Sequence, residues 1–455
     1  MMIPAGAPIV TADAMRAAEA ACFASGATQH ELMARAGAAV AREAARFATG
    51  QPVLVLAGPG NNGGDGFAAA RVLGKMGLAV TVATLGHDWH GAAEAMRADW
   101  SGPTVPLSQA PERPLIVDGL FGIGLSRPIE GDVAAAILKL RDAARFVLAI
   151  DIASGVDADT GAAAGAVLRA DATLALGALK RGHVQGAGLS ASGALLLDPI
   201  GIPVESGVGM LGRPRMAAPG SDDHKYTRGL VGIQGGAMAG ASRLAAAAAA
   251  RGGAGYVVLA SDDARVPFDA VVHRETIDAE KAAAVLIGPG LGRDAAARGV
   301  VGEWLVSHRP LVLDGDALAL LSVEALAART TPTILTPHGG EFERLFGPVD
   351  GDRIAATLDA ARASGAVIIH KGAATIIAAP DGRAWVAHPS SWLSTAGTGD
   401  VLAGLVAARL AVVGEPVRAA QEAVWLHARA ARLAGPALVA DDLPMHIPTA
   451  IAECL

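Results

Sequence analysis

The chain has 455 residues with two cysteines, 52% hydrophobic and 18% charged residues, and a formal net charge of −7. These values exclude a disordered chain and a disulfide framework, and the acidic net charge is not that of a nucleic-acid binder. The sequence contains no run of about 18 apolar residues that could span a membrane, so we expect a cytoplasmic protein. Its length predicts roughly two or three domains.

Short apolar strands alternate with possible helices throughout the first half of the chain. One or two helices, broken near Gly26, are predicted between Ala12 and Phe47. The strands that follow are nearly all apolar, as expected for strands buried on both faces of a parallel sheet. They are predicted at Val53 to Ala57, Ala79 to Thr84, Leu115 to Asp118, Phe146 to Asp151 and Ala172 to Leu176.

Prolines and glycines crowd the segment between Ile202 and Ser221, which predicts a linker. We therefore expect two domains, at residues 1–205 and 222–455, joined by a linker at 206–221. A helix is predicted at Ala245 to Ala250 in the second domain. The predicted strands there are Leu230 to Gln234, Tyr256 to Ala260, Ala284 to Ile287, Leu311 to Asp314, Thr333 to Thr336, Ala366 to His370 and Thr375 to Ala378.

A glycine-rich loop follows the first strand of this pattern. Residues 58–66 have the sequence G-P-G-N-N-G-G-D-G, and a helix is predicted to begin at Phe67. Backbone N–H groups and a helix N-terminus in this setting can hold an anion. The loop matches the dinucleotide pattern G-x-G-x-x-G, but that match is weak, because the next strand does not end in an acidic residue.

Two more strands of the first half end in polar residues. Asp118 is followed by G-L-F-G-I-G, and Asp151 begins the sequence D-I-A-S-G-V-D. Ligands of open parallel sheets bind at the carboxyl ends of the strands. We therefore expect these two segments and the glycine-rich loop to converge on one site.

These three motifs together resemble the NAD(P)H-hydrate epimerase domain, over roughly residues 10 to 205. The resemblance implies a Rossmann-like three-layer α/β domain that interconverts the R and S forms of hydrated NAD(P)H. It implies a potassium ion held by Asn62, Asp118 and Ser154, and it makes Asp151 the best acid/base candidate. Lys180 would have an electrostatic or proton-relay role. The implied substrate contacts are Asn61, Asn62, Gly63, Gly64, Asp65, Gly122, Ile123, Gly124, Leu125, Ser126, Arg127, Pro128 and Asp151.

A second candidate site lies near the end of the chain. G-T-G-D at residues 397–400 precedes an apolar run, Val401 to Val413, that predicts a helix. Amides at a helix N-terminus can hold a phosphoryl group while an adjacent carboxylate accepts a proton from an attacking hydroxyl. Three other strand ends carry G-P-G-L-G (288–292), T-P-H-G-G-E (336–341) and K-G-A-A-T (371–375).

The motifs of this half resemble the ADP-dependent NAD(P)H-hydrate dehydratase branch of the ribokinase-like fold, over about residues 222 to 450. The resemblance implies a ribokinase-like α/β domain, ADP as co-substrate and Mg²⁺ for its polyphosphate. It places the hydrated dinucleotide against Ala241, Gly290, His338 and Asp400, with Asp400 as the catalytic base. It places the adenine nucleotide against Lys371, Gly372, Ala373, Ala374, Thr375 and Gly399.

The leading interpretation is a bifunctional enzyme in which the epimerase supplies the epimer that the dehydratase accepts. An alternative keeps the ribokinase-like fold but makes the second half a small-molecule kinase fused to a dinucleotide-binding module. A third makes the first half a non-catalytic binding or scaffolding module. The expected partners are hydrated NADH or NADPH and ADP, with no nucleic acid and no membrane, and the resemblance also implies a homo-oligomer.

Overall fold

The computed structural model describes residues 3–86, 88–125, 127–387 and 391–455. It divides into two compact units, Met1–Val208 (unit 1) and Gly209–Leu455 (unit 2). The division falls inside the segment 206–221, and the residues Val208–Met210 form a strand. The limits of the linker stay a prediction. None of the helices among the described residues is long and apolar enough to cross a membrane.

Unit 1 is built on a parallel sheet. Its strands are β1 (Ile9–Val10), β2 (Val53–Ala57), β3 (Val80–Thr84), β4 (Thr104–Pro106), β5 (Leu115–Gly119), β6 (Phe146–Ile150), β7 (Ala172–Leu176), β8 (Leu179–Lys180) and β9 (Ala194–Asp198). Its helices are α1 (Ala12–Ala24), α2 (Gln29–Ala48), α3 (Asn61–Lys75), α4 (Gly91–Ala98), α5 (Gly131–Ala143) and α6 (Gly188–Ala191). Within the described residues, seven strands pair in the order β4-β3-β2-β5-β6-β7-β9, and β1 pairs separately with β8.

The apolar strands of unit 1 are buried on both faces, as predicted. Val53 and Val55 of β2 pack in one apolar cluster with residues of α2 and α3. Leu54 and Leu56 belong to a second cluster that includes residues of α5. Because successive side chains of a strand point to opposite faces, the sheet lies between two helical layers, which confirms the three-layer α/β class.

Unit 2 is also an α/β unit. Its strands are β10 (Val208–Met210), β11 (Leu230–Gln234), β12 (Tyr256–Ala260), β13 (Val271–Arg274), β14 (Ala284–Ile287), β15 (Leu311–Leu313), β16 (Thr333–Leu335), β17 (Val367–His370), β18 (Ile376–Ala378) and β19 (Ala384–Val386). Its helices are α7 (Ala239–Arg251), α8 (Ala295–Leu305), α9 (Val323–Ala327), α10 (Gly339–Phe346), α11 (Arg353–Ser364), α12 (Thr398–Val413), α13 (Pro416–Ala434) and α14 (Leu443–Ala452).

The described strands of unit 2 pair in the order β10-β19-β18-β17-β16-β15-β14-β11-β12-β13. Pairing is parallel from β13 to β17 and antiparallel among β17, β18 and β19. The alanine run of α7 forms a helix, as predicted, and it packs closely on α12. A Cβ on Gly404 would lie 2.0 Å from the carbonyl oxygen of Ala245, so small residues allow the two helices to approach.

Two predicted helix starts are wrong. Helix α3 begins at Asn61 instead of Phe67, and α12 begins at Thr398 instead of Val401. In both cases the polar, glycine-rich motif forms the first helical turn itself, because tertiary packing overrides the low helix propensity of glycine. The consequence is that the first amides of both motifs lie at helix N-termini, where they have no partner within the helix.

Candidate functional site

A cavity of about 540 Å³ opens at the carboxyl ends of the strands of unit 1. Its lining includes Asp151, which directly follows β6, and parts of the two glycine-containing segments predicted to converge there. The lining residues from the predicted set are Asn61, Asn62, Asp65, Gly122, Ile123, Gly124, Leu125, Arg127 and Asp151. The structure thus brings these nine residues together.

The other four predicted substrate contacts are not among the described residues that line this cavity. Gly63 and Gly64 are buried under it, where a Cβ on Gly63 would lie 1.9 Å from the Gly58 carbonyl oxygen. Pro128 is exposed and does not line the cavity. Ser126 lies outside the described residues. The two glycines therefore act through close packing, which lets the α3 N-terminus approach the loop after β2.

Hydrogen bonds fix both the backbone and the carboxylate of Asp151. Its carboxylate accepts from the Lys180 ammonium and from the Leu176 N–H, and its own N–H donates to the Leu174 carbonyl at 2.8 Å. Its backbone has a left-handed φ of 64°. An aspartate tolerates this conformation better than most residues do, but it persists only where the surroundings fix it.

Lys180 is 1% exposed, and its ammonium also donates to the carbonyls of Leu176, at 2.8 Å, and Ala178, at 3.1 Å. His183 completes this arrangement. Its Nδ1 accepts from the Lys180 N–H, so its Nε2 donates to the Asp151 carbonyl at 2.7 Å. Burial, together with the charge of Lys180, lowers the pKa of His183 to about 4. The imidazole is therefore neutral near pH 7 and orients the lysine–aspartate pair.

The three predicted potassium ligands carry oxygen atoms that suit a hard cation. The Ser154 hydroxyl donates to an Asp118 oxygen at 2.7 Å, and burial raises the pKa of Asp118 to about 6. Asn62 packs with its side chain against Gly122, and its Nδ2 is buried without a hydrogen-bond partner. The donor types of these three residues fit a monovalent cation, and its binding at this position stays a prediction.

Three cavity-lining residues come from α1, which the sequence analysis did not assign to the site. They are Arg16, Glu19 and Phe23, spaced so that they share one face of the helix. The spacing itself was visible in the sequence, but only the fold shows that this face covers the cavity.

The site of unit 2 centres on Lys371, at the end of β17. Its ammonium donates to Asp314 at 2.7 Å and lies 4.0 Å from Glu341. Burial opposes its charge, but Asp314 and Glu341 outweigh burial, so the pKa of Lys371 is raised. A Cβ on Gly399 would lie 3.3 Å from this ammonium. The lysine therefore reaches the helix N-terminus where a phosphate is predicted to bind.

The G-T-G-D segment forms the N-terminus of α12. Gly397 is the N-cap, with a left-handed φ of 87° that favours glycine. Thr398 is buried, and its hydroxyl donates to the carbonyls of Leu393 and Thr395 at 2.8 and 3.0 Å. The side chain thus fixes the loop before the helix, while the first amides of α12 stay available to an anion.

Asp400 lies in the first turn of α12 and makes no salt bridge with another described residue. Burial raises its pKa to about 6, and the charge of Asp314 adds to this effect, while Lys371 opposes it. A carboxyl with a pKa in this range is ionised near pH 7 but is a stronger base than an ordinary aspartate. Asp400 is therefore suited to accept a proton.

The remaining predicted substrate contacts of unit 2 belong to adjoining loops. Ala241 and Gly290 lie on either side of Met238, whose N–H donates to the Gly290 carbonyl at 2.9 Å and whose carbonyl accepts from the Ala241 N–H. His338 caps α10 through its Nδ1, which accepts from the Gly340 and Glu341 N–H groups. The Lys371 N–H donates to the Pro337 carbonyl, so His338 lies beside the lysine loop.

The predicted nucleotide loop, Lys371, Gly372, Ala373, Ala374 and Thr375, is held by a residue that the sequence did not indicate. Arg353 of α11 donates to the carbonyls of Lys371 and Ala374, each at 3.3 Å. Asp314 was also missed, although it ends a predicted strand next to a glycine, the same pattern that identified Asp118. Thr336 donates to Asp314 at 2.6 Å. Within the described residues, no three His, Cys, Asp or Glu side chains are placed to hold a metal ion.

Both units match known family models. Residues 29–182 match the family described as YjeF-related protein N-terminus, and residues 231–452 match the family described as NAD(P)H-hydrate dehydratase. Each match covers a large part of the candidate site of its unit. Helix α1 lies ahead of both matched ranges.

Similar proteins extend over most of the chain. A bifunctional NAD(P)H-hydrate repair enzyme from Gloeobacter violaceus is 37% identical, over 93% of this chain and 92% of its own. One of the same name from Mycobacterium tuberculosis is 35% identical, over 88% of each chain. A ribokinase-like superfamily protein from Enterococcus faecalis superposes with a TM-score of 0.50 at 27% identity, over 55% of this chain and 98% of its own. This last comparison supports the ribokinase-like class predicted for unit 2.

Proposed function

The chain belongs to the bifunctional NAD(P)H-hydrate repair enzymes, and we propose that it carries both of the activities that this name combines. Unit 1 interconverts the R and S forms of hydrated NAD(P)H. Unit 2 dehydrates the S form with ADP, which gives NAD(P)H, AMP and phosphate. The observation that carries the proposal is that each unit has a candidate acid/base carboxyl. Asp151 of unit 1 is buried, and Asp400 of unit 2 is half-buried.

In unit 1, the cavity next to Asp151 holds the hydrated nicotinamide ring, and the loops at Asn61–Asp65 and Gly122–Pro128 hold the rest of the dinucleotide. Asp151 accepts the proton of the C6 hydroxyl, and Lys180 keeps its carboxylate in place. A potassium ion, held by Asn62, Asp118 and Ser154, would supply positive charge beside the substrate phosphates. The chain as a whole is acidic, so its net charge cannot neutralise those phosphates. Local backbone amides and cations do so instead.

In unit 2, Asp400 accepts the proton of the C6 hydroxyl of the S hydrate, and the hydroxyl oxygen attacks the β-phosphate of ADP. AMP leaves, while the Thr398 to Asp400 amides and Lys371 stabilise the charge of the transferred phosphoryl group. The C6 phosphate then leaves, driven by the lone pair of the ring nitrogen, and loss of a C5 proton restores NAD(P)H. Mg²⁺, which prefers carboxylate and phosphate oxygens, would arrive with the polyphosphate, whose oxygens it would bind, and would supply positive charge there.

The test uses the full chain with hydrated NADH and ADP. A pure S epimer is expected to yield NADH through unit 2 alone, whereas complete conversion of an R/S mixture, faster than spontaneous epimerisation allows, needs both units. A stable phosphorylated product in place of NADH would instead support a small-molecule kinase. Conversion of the S fraction only would remove the epimerase half of the proposal.

We further propose that the protein forms a homo-oligomer, as the family resemblance implies. Light scattering on the purified chain checks this, and a monomer at working concentration would contradict it.

A further inference from the structure

One face of helix α1 closes the cavity of unit 1. Arg16, Glu19 and Phe23 all line it, and their spacing places them on a common helical face. Arg16 donates to the carbonyl of Ile123 at 3.0 Å, in the loop that is proposed to bind the substrate. The Ala12 N–H donates to the Asp159 carboxylate at 2.6 Å. These two contacts fix the position of Glu19 relative to Asp151.

Three carboxyl groups line this one cavity, namely Glu19, Asp65 and Asp151. The buried ammonium of Lys180 is committed to Asp151 and to two backbone carbonyls. Among the described residues, Glu19 and Asp65 make neither a hydrogen bond nor an ion pair through their carboxyl groups. Two arginines also line the cavity, but Arg16 pairs with Asp13 at 2.7 Å, and among the described residues neither Arg16 nor Arg127 forms an ion pair with Glu19 or Asp65.

The three carboxyls have different environments. Burial, and then the charge of Asp151, raise the pKa of Glu19, while Lys180 and Arg16 oppose the increase. Burial, Asp151 and Glu19 raise the pKa of Asp65 well above its usual range. Asp151, in contrast, accepts hydrogen bonds from the Lys180 ammonium and from the Leu176 N–H. Glu19 is half-buried, so its carboxyl can meet a substrate in the cavity.

Inversion at C6 of the hydrated ring needs both a proton acceptor and a proton donor. If the ring opens, the C6–N1 bond breaks, the hydroxyl proton passes to a base, and the bonding pair moves to N1, which takes a proton from an acid. The product is an open aldehyde with an N1–H group. Reversal of these steps, after the aldehyde has turned its other face to N1, returns both protons and closes the ring with opposite configuration. No oxidant or further reactant is required.

We infer that Glu19 is the proton donor of this epimerisation and that Asp151 is the matching acceptor. The inference rests on the proposed epimerase function of unit 1. It adds to the site a catalytic residue on a helix that precedes the range matched by either family model. Asp65 is the other carboxyl of the cavity whose pKa is raised, by burial and then by Asp151, and Arg127 is left to meet the substrate phosphates.

The test replaces Glu19 by Gln in the full chain and follows the conversion of pure R hydrate to S hydrate by chromatography without ADP. The kcat of epimerisation is expected to fall by about a hundredfold or more, the usual contribution of a general acid, while KM changes little. Wild-type activity is expected to fall as the pH rises above the raised pKa of Glu19. The residual activity of E19Q is expected not to show this decrease with rising pH. E19D should recover part of the rate.

The matched control is Glu94→Gln, which removes an exposed carboxylate from α4 and should leave both activities unchanged. Wild-type kcat and pH dependence in E19Q would overturn the inference. A raised KM with unchanged kcat would also overturn it, since Glu19 would then only bind. If the wild-type chain does not accelerate R/S interconversion at all, the proposed epimerase function is wrong. This result differs from a failure of the inference about Glu19, in which the wild type is active and E19Q is equally active.

Discussion

Both units place a lysine–aspartate ion pair at the candidate site, but the lysines have different partners. In unit 1, Lys180 binds the candidate base Asp151 itself. In unit 2, Lys371 binds Asp314, and the candidate base Asp400 is left without a salt bridge among the described residues. The same two residue types therefore bind one candidate base directly and leave the other unpaired, with a pKa that burial raises to about 6.

The difference agrees with the role that is proposed for each carboxyl. In the proposed epimerisation Asp151 exchanges a proton with a hydroxyl in either direction, and the fixed lysine keeps its carboxylate in one position. In the proposed dehydration Asp400 prepares a hydroxyl to attack a phosphate, and its raised pKa makes it a better acceptor than an ordinary aspartate, while Lys371 lies beside Gly399 to meet the phosphoryl group. The partner of the lysine is thus what differs between the two candidate sites.

The largest expected effect separates the two units by their bases. Asp400→Asn removes the proton acceptor of unit 2 without changing its shape, so the ADP-dependent recovery of NADH absorbance from pure S hydrate should fall by about 10²- to 10⁴-fold. Epimerisation of the R hydrate by the same preparation should be unchanged. Asp441→Asn, at an exposed position of unit 2, is the control. Substantial dehydration by D400N would contradict the role of Asp400.

The second prediction compares the two lysines. Lys180→Met leaves the Asp151 carboxylate buried without its cation, which should cost about 3–5 kcal/mol in the free energy of unfolding. Lys371→Met should cost less, because Lys371 is more exposed (18% against 1%) and because Lys180 also donates to two buried backbone carbonyls, which its removal would leave without that donor. Urea denaturation measures both values. Equal losses for the two variants would mean that the pairs are not buried differently.

The smallest effect concerns pH. Because burial and Asp314 raise the pKa of Asp400 to about 6, its carboxylate is the form present above that value and is lost below it. The kcat/KM of dehydration should therefore fall about tenfold for each pH unit below about 6. Initial rates of dehydration, measured with saturating ADP across this pH range, give this decrease of kcat/KM. A flat profile down to about one unit below the pKa would show that the base is another group.

The sequence was sufficient for the α/β class of both units, because short apolar strands between helical segments predict buried parallel strands with little ambiguity. It also led to Asp151, Asp118 and Asp400 as candidates, since each lies at the end of a predicted strand or directly before a predicted helix, and their roles stay predictions. It did not predict that the glycine motifs lie inside α3 and α12. Whether a glycine-rich segment is loop or helix depends on packing contacts such as Gly64 on Met33 of α2, which no local pattern encodes.

The missed site residues share one property. Glu19 lines a cavity, Arg353 supports the loop that follows β17, and Asp314 pairs with a lysine 57 positions away, so each is recognised only by groups that are distant in the sequence. Long-range pairs of this kind become visible only in the folded chain. The strand-end rule could have identified Asp314, but nothing near Arg353 in the sequence indicates that its guanidinium supports the nucleotide loop.

The left-handed backbone of Asp151 has a consequence for how stereochemistry is inverted. Its N–H, its carbonyl and its carboxylate are each bound, by Leu174, His183 and Lys180. A side chain fixed in this way cannot follow a migrating atom from one face of a ring to the other. The motion must then belong to the substrate, and the protein serves as a rigid template whose cavity has room for the aldehyde to turn. Both epimers would meet the same stationary oxygen.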